Sequence, residues 1–248
     1  MRIKLFISLC LCLVVTVACK KTEFSEPLSA ADKALVWEKA QEKNFGKFDY
    51  LDITKEEAVE LMTKKFEVEL PKLYIEAIPI IEEALQTDEN KQEDPVYMVK
   101  ATGNTLSMRA TYPYKNKTDG KYYSYGTVEL VYEFDEKQKL KWLSSQDITL
   151  VNYPETQKNY LNEPVKAIEK LSELAGVTEL QQKVTALNKK FDHSPEELKG
   201  QTLQIENSLK QAEKDHKVGR NIGMEFSKNG TLNLLRVFTK NYTKNLNE

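Results

Sequence analysis

"TLSMRATY", residues 105–112, sets Leu106, Met108, Ala110 and Tyr112 on one side of an extended chain and Ser107, Arg109 and Thr111 on the other. A period of two marks a strand with one face in a core. Further on, Val128, Leu130, Tyr132 and Phe134 alternate with Glu129, Val131 and Glu133 in the same way. Residues 96–100 and 140–151 are strand-like too, and Gly103-Asn104, Thr118-Asp119-Gly120 and residues 135–139 supply turns. Residues 96–152 are therefore expected to form a four-stranded antiparallel meander.

Upstream the period is helical. Ser29 starts a helix signal with Ala34, Leu35 and Trp37 to pack, and residues 49–53 read as a break. Thr54-Lys55-Glu56-Glu57 has the form of a capping box, followed by Ala58, Leu61, Met62 and Phe66 as a buried face. After Pro71, Leu73, Tyr74, Ala77, Ile78, Ile81 and Leu85 recur at helical spacing, with Pro79 expected to kink or split the helix. Residues 86–94 read as a charged loop.

Downstream, Pro164 opens a helix with Val165, Ile168, Leu171 and Leu174, stopped by Gly176. Leu180, Val184, Leu187 and Phe191 make another, and Ser194-Pro195-Glu196-Glu197 is a strong helix start. Leu203, Ile205 and Leu209 suit either a helix or a strand. Ile222, Met224 and Phe226 alternate, and Asn229-Gly230 turns the chain into residues 232–242.

The two halves look alike. "TLSMRAT" (105–111) parallels "TLQIENS" (202–208), and "YEFDEKQKLKWL" (132–143) parallels "MEFSKNGTLNLL" (224–235). The expected fold class is α+β: helices followed by an antiparallel β-meander, with two such units in tandem at 54–152 and 164–242. The alternative is that any two hairpins with polar turns are this similar. The chain divides on this reading into a signal peptide (1–18), a lipidated N-terminus and tether (19–29), a helical segment plus meander (30–152), and helices plus a C-terminal hairpin (153–248).

The first nineteen residues hold all three cysteines, Cys10, Cys12 and Cys19. Arg2 and Lys4 precede a mainly apolar run, residues 5–18, which as a helix would be about 21 Å long, short of a bilayer core. A positive start, a short apolar stretch and small residues before a cut make a secretory signal segment. One reading ends it as an ordinary signal peptide cut after Ala18. The other is that Thr16-Val17-Ala18-Cys19 resembles the lipobox of bacterial lipoproteins, with Thr16 where that family prefers Leu, Val or Ile. The resemblance covers only about the first twenty residues. It implies a diacylglyceryl group on the Cys19 thiol, cleavage just before Cys19, and an exported protein held to a membrane by acyl chains. Lys20 is not the Asp that keeps some lipoproteins in the inner membrane, so the resemblance implies the outer membrane in a host with two, and otherwise the outer face of the cell membrane.

The cysteine count fits lipidation. A lone thiol on an exported chain has no disulfide partner, and a thioether to lipid removes it. No disulfide, cysteine-based metal site or cofactor is expected. Without residues 1–18 the chain carries 34 Lys plus Arg against 38 Asp plus Glu, a net charge near −4. That excludes a nucleic-acid role of the usual electrostatic kind.

Chemistry is sparse. His193 and His216 are the only histidines. Asp192, His193 and Ser194 are the residue types of a hydrolase triad but are immediate neighbours, so Ser194 reads as a helix cap. No G-x-S-x-G, H-E-x-x-H, P-loop or G-x-G-x-x-G is present. Residues 88–94 are acidic but lack the spacing of a calcium loop. The one local concentration is aromatic: Tyr112, Tyr114, Tyr122, Tyr123 and Tyr125 flank the turn 115–121. They are a candidate contact patch for a peptide or glycan, or else cross-strand packing pairs. The functional expectation is a membrane-anchored envelope lipoprotein that binds a partner protein or glycan without catalysis. Its alternatives are an envelope hydrolase using paired carboxylates and a structural spacer.

Overall fold

The computed structural model describes residues 27–153 and 161–244. In chain order its elements are α1 (Ala30–Lys33), β1 (Glu38–Ala40), β2 (Lys47–Ile53), α2 (Lys55–Glu60) running into a π-helical turn (Leu61–Lys65), α3 (Lys72–Leu85), β3 (Asn90–Gln92) and β4 (Val96–Thr102). There follow β5 (Thr105–Asn116), β6 (Tyr122–Asp135), β7 (Leu140–Asn152), α4 (Pro164–Leu174), α5 (Leu180–Phe191), α6 (Pro195–Leu198), β8 (Thr202–Asn207), α7 (Leu209–Lys214), β9 (Val218–Phe226) and β10 (Leu232–Asn241).

The strands make one antiparallel sheet, ordered β2-β4-β5-β6-β7-β10-β9-β8, with β1 pairing to β7 and β3 to β5. Directly opposed residues share a face of a sheet, and the register makes that face explicit. Ala110 faces Val128, Val128 faces Ile148, Ile148 faces Val237, and Val237 faces Ile222. All five are essentially inaccessible to solvent, so one apolar row crosses from β5 to β9.

Helices α3 and α4 pack on each other and over this face, with Ile81, Leu85, Ile168 and Leu171 fully buried. The approach of α3 requires a glycine: a Cβ on Gly126 of β6 would fall 2.3 Å from Cγ2 of Ile81. The opposite face is mixed and polar, carrying Arg109, Glu129, Asp147, Arg236 and Phe238 on neighbouring strands. Among the described residues α7 lies over a corner of it, where a Cβ on Gly219 would meet Ala212 and Leu209.

The expected layout, helices followed by a meander and two such units in tandem, is corrected by this sheet. Strands β4 to β7 do run as a meander, but β10 pairs with β7 over seven residue pairs from Leu234↔Val151 to Lys240↔Ser145. The strands of both halves therefore share one sheet. The connections also differ: β4 turns directly into β5, whereas β8 reaches β9 through α7. The likeness of "TLSMRAT" and "TLQIENS" reflects two strands facing the same core, since Leu106 and Met108 in one and Leu203 and Ile205 in the other are all buried.

Smaller differences have local causes. Pro79 does not split α3, which runs continuously through it. The carbonyl that a residue with an N–H would have satisfied belongs to Ile75, and both residues lie on the exposed side, where water can replace the bond. Residues 49–53 are not a break but most of β2. Its alternation is lost to a register shift between Tyr50 and Ile53, beside Asp52 at φ +51°. Part of the expected charged loop pairs with β5 as β3.

Candidate functional site

The candidate tyrosines do not form one patch. Register places Tyr112 opposite Gly126 and Tyr114 opposite Ser124, all facing the core. Tyr112 packs edge-on against Tyr97, with the two hydroxyls 3.2 Å apart, and burial pushes the Tyr112 hydroxyl above the ordinary tyrosine range. Tyr123 and Tyr125 lie half-buried on the opposite face, where Tyr123 donates to Asp119 and Tyr125 tilts against Tyr153 at 5.7 Å. Tyr122 is exposed, with Nζ of Lys115 4.9 Å from its ring centroid. Cys19 lies outside the described residues.

Ser194 is a helix cap: it forms a capping box with Glu197 at the start of α6. On the polar sheet face, Glu129 and Asp147 are direct cross-strand neighbours. Both oxygens of Asp147 are taken by Arg236, at 2.9 and 2.6 Å. Among the described residues no group of three or more His, Cys, Asp or Glu side chains could hold a metal ion.

A different place gathers several unusual features. Helix α2 begins with a full capping box between Thr54 and Glu57. It then widens into the π-helical turn, where the Phe66 amide donates to Leu61 O at 2.9 Å and the Thr63 hydroxyl bonds back to Val59 O. Single π turns are rare and occur often at functional sites. Glu67 follows at φ +48°, a left-handed backbone that a non-glycine residue adopts only when its surroundings hold it there.

The turn aims the Phe66 carbonyl at a lysine. Lys141 of β7 sits in register with Phe134 on the core face and is 1% exposed. Its Nζ donates to Phe66 O at 2.7 Å. Across the β1 pairing it faces Lys39, a like charge directly opposite, which is unfavourable by itself. Glu67 relieves Lys39 at 2.8 Å, and that contact holds the Glu67 carboxyl below its usual range. Among the described residues Lys141 has no such partner. Burial, and then Lys39, push its ammonium down to about 8, against a smaller opposing pull from Glu67.

Two adjoining clefts open here. One of about 370 Å³ is lined by Lys65, Phe66, Glu67 and Lys141, among others. Its neighbour, of about 360 Å³, is lined by Phe45, Phe48, Lys65 and Phe66, among others. Both include Gln41, Glu42, Lys65 and Phe66, so they form one bipartite depression of ligand-pocket size. Phe48 and Tyr50 of β2 lie nearly parallel with centroids 6.1 Å apart. Nζ of Lys65 rests 3.5 Å from the Phe48 ring centroid and 2.5 Å from the Tyr50 hydroxyl.

Sequence reasoning missed this site. Strict alternation from Ile148 and Leu150 puts Trp142 rather than Lys141 on the core side, and it is the register shift at Val131 and Tyr132 that turns Lys141 and Leu143 inward. Comparison with protein-family models, with curated proteins and with solved structures gave no significant match.

Proposed function

We propose that this chain is an exported lipoprotein, anchored through Cys19, that acts by non-covalent binding in the cleft beside the π-helical turn. The single observation that carries the binding half is the coincidence of strained backbone, a buried ammonium without a carboxylate partner among the described residues, and an open cleft. Natural folds tolerate each of these only at some cost, and together they mark functional sites. The anchoring half is supported by Thr16-Val17-Ala18-Cys19 and by the absence of cysteine from residue 20 onward. Two or more acyl chains suffice for stable attachment.

Binding is favoured over carboxylate catalysis because Asp147, of the one cross-strand acid pair considered above, is held bidentately by Arg236 and lines neither cleft. The anchor is tested by Cys19→Ala. The variant is expected to leave the membrane fraction or to accumulate uncut at the higher mass. Normal processing with full membrane retention would refute lipidation.

A further inference from the structure

Lys65 and Lys141 line the same cleft, and neither has a carboxylate within ion-pair distance among the described residues. The partners of Lys65 are a tyrosine hydroxyl and aromatic faces; that of Lys141 is one backbone carbonyl. An ammonium has three donors, so both groups keep donor capacity that the protein does not use. Most lysines near other clefts are compensated. Lys244 is paired with Glu38 beside His216 and Trp37, and Lys166 and Lys170 share Glu83 in the groove between α3 and α4. Lys43, Lys65 and Lys141 line the bipartite cleft against Glu42 and Glu67, so it offers a net positive charge to a ligand that brings its own negative charge. Glu67 does not cancel it, being engaged by Lys39.

The second component is a ring surface. Phe48 is 39% exposed on the outermost strand, and Phe66 stands edge-on to it at 5.9 Å. Exposed aromatic faces next to cationic donors suit a flat or puckered ring carrying an acid, since ring and charge are then met by different groups.

We propose that the cleft binds a carboxylate-bearing sugar chain, an acidic glycan whose ring stacks on Phe48 while its carboxylate draws Lys65 from the ring and lies in the field of the buried Lys141 behind the cleft wall. This rests on the binding reading above and names its ligand class; it does not depend on the anchor.

The test uses the full-length protein in detergent micelles and calorimetric titration with galacturonate oligomers, their methyl-esterified counterparts and inorganic phosphate. The acidic oligomer is expected to bind, and esterification to weaken it by about tenfold or more, the worth of one charge-assisted contact. Phosphate at equal concentration should not displace it. Phe48→Ser and Lys65→Gln change side chains at the edge of the sheet, so each should still unfold cooperatively while losing about tenfold in affinity. No binding, equal binding of the ester, displacement by phosphate, or unaltered binding by both variants would each overturn the inference. Recovery of shortened oligomer would leave the ligand class standing and refute the non-catalytic reading instead.

Discussion

Asp32→Ala is expected to destabilise the fold by about 3 kcal/mol, read as a lower midpoint in urea with an unchanged slope. Arg220 of β9 is 7% exposed, and its guanidinium reaches Asp32 Oδ1 at 2.6 Å, Ala175 O at 2.6 Å and Val218 O at 3.3 Å. This joins residues 188 apart in sequence and clasps α1 to the end of α4 and the start of β9. The fit is close: a Cβ on Gly176 would lie 2.7 Å from Cβ of Ala31 and 3.2 Å from Nη2 of Arg220. Removing Asp32 leaves a buried guanidinium with carbonyls alone to offset its charge, which is the costly way to break an ion pair. Glu83→Ala, which breaks exposed pairs with Lys166 and Lys170, is the internal control and should cost about 1 kcal/mol or less. Equal effects of the two substitutions would contradict the clasp.

The second large effect is a dependence on pH. The folded protein holds the Lys141 ammonium at about 8 against an ordinary value of 10.5. The unfolded chain therefore binds this proton more tightly, and stability rises with pH wherever the unfolded state holds more protons. The gain is confined to the window from about 8 to 10.5. Below it both states are charged and the folded state carries the full desolvation cost; above it both are neutral. Lys141→Met abolishes this titration. Wild-type stability relative to Lys141→Met is therefore expected to increase by about 3 kcal/mol across the window. The sign matters more than the size: a difference that falls or stays flat as pH rises would contradict a desolvated lysine.

Much of the sheet was legible from alternation alone. Leu106, Met108, Ala110 and Tyr112 face the core as their period predicts, and so do Val128, Leu130, Tyr132 and Phe134. Alternation tells which way a side chain points; it says nothing about which strand lies alongside. The pairing of β10 with β7, residues remote in sequence, was therefore invisible, and two similar hairpins read as two units. Capping chemistry was legible because it is local: Thr54 with Glu57 forms the box its spacing predicts, and Ser194 caps α6 as expected, adding a box with Glu197.

The tyrosines illustrate the reverse. Tyr112, Tyr114, Tyr123 and Tyr125 are close in sequence, but strand geometry sends the first pair into the core and the second pair to the other face. The cleft was illegible for a deeper reason. Its parts come from β1, β2, the π turn and β7, and the π turn depends on a local widening of the helix that no simple periodicity encodes. Lys141 itself falls in the outward phase of simple alternation and is brought to the core by the register shift at Val131 and Tyr132, which alternation does not reveal.

The most direct measurement is an NMR titration of the lysine side chains in the full-length protein, with Lys141→Met assigning the signal. A midpoint near 8 for Lys141, moving upward when an acidic sugar chain is added, is the expected result. A midpoint at the ordinary 10.5, unmoved by ligand, would contradict both the desolvated ammonium and the anionic ligand it is held ready to meet.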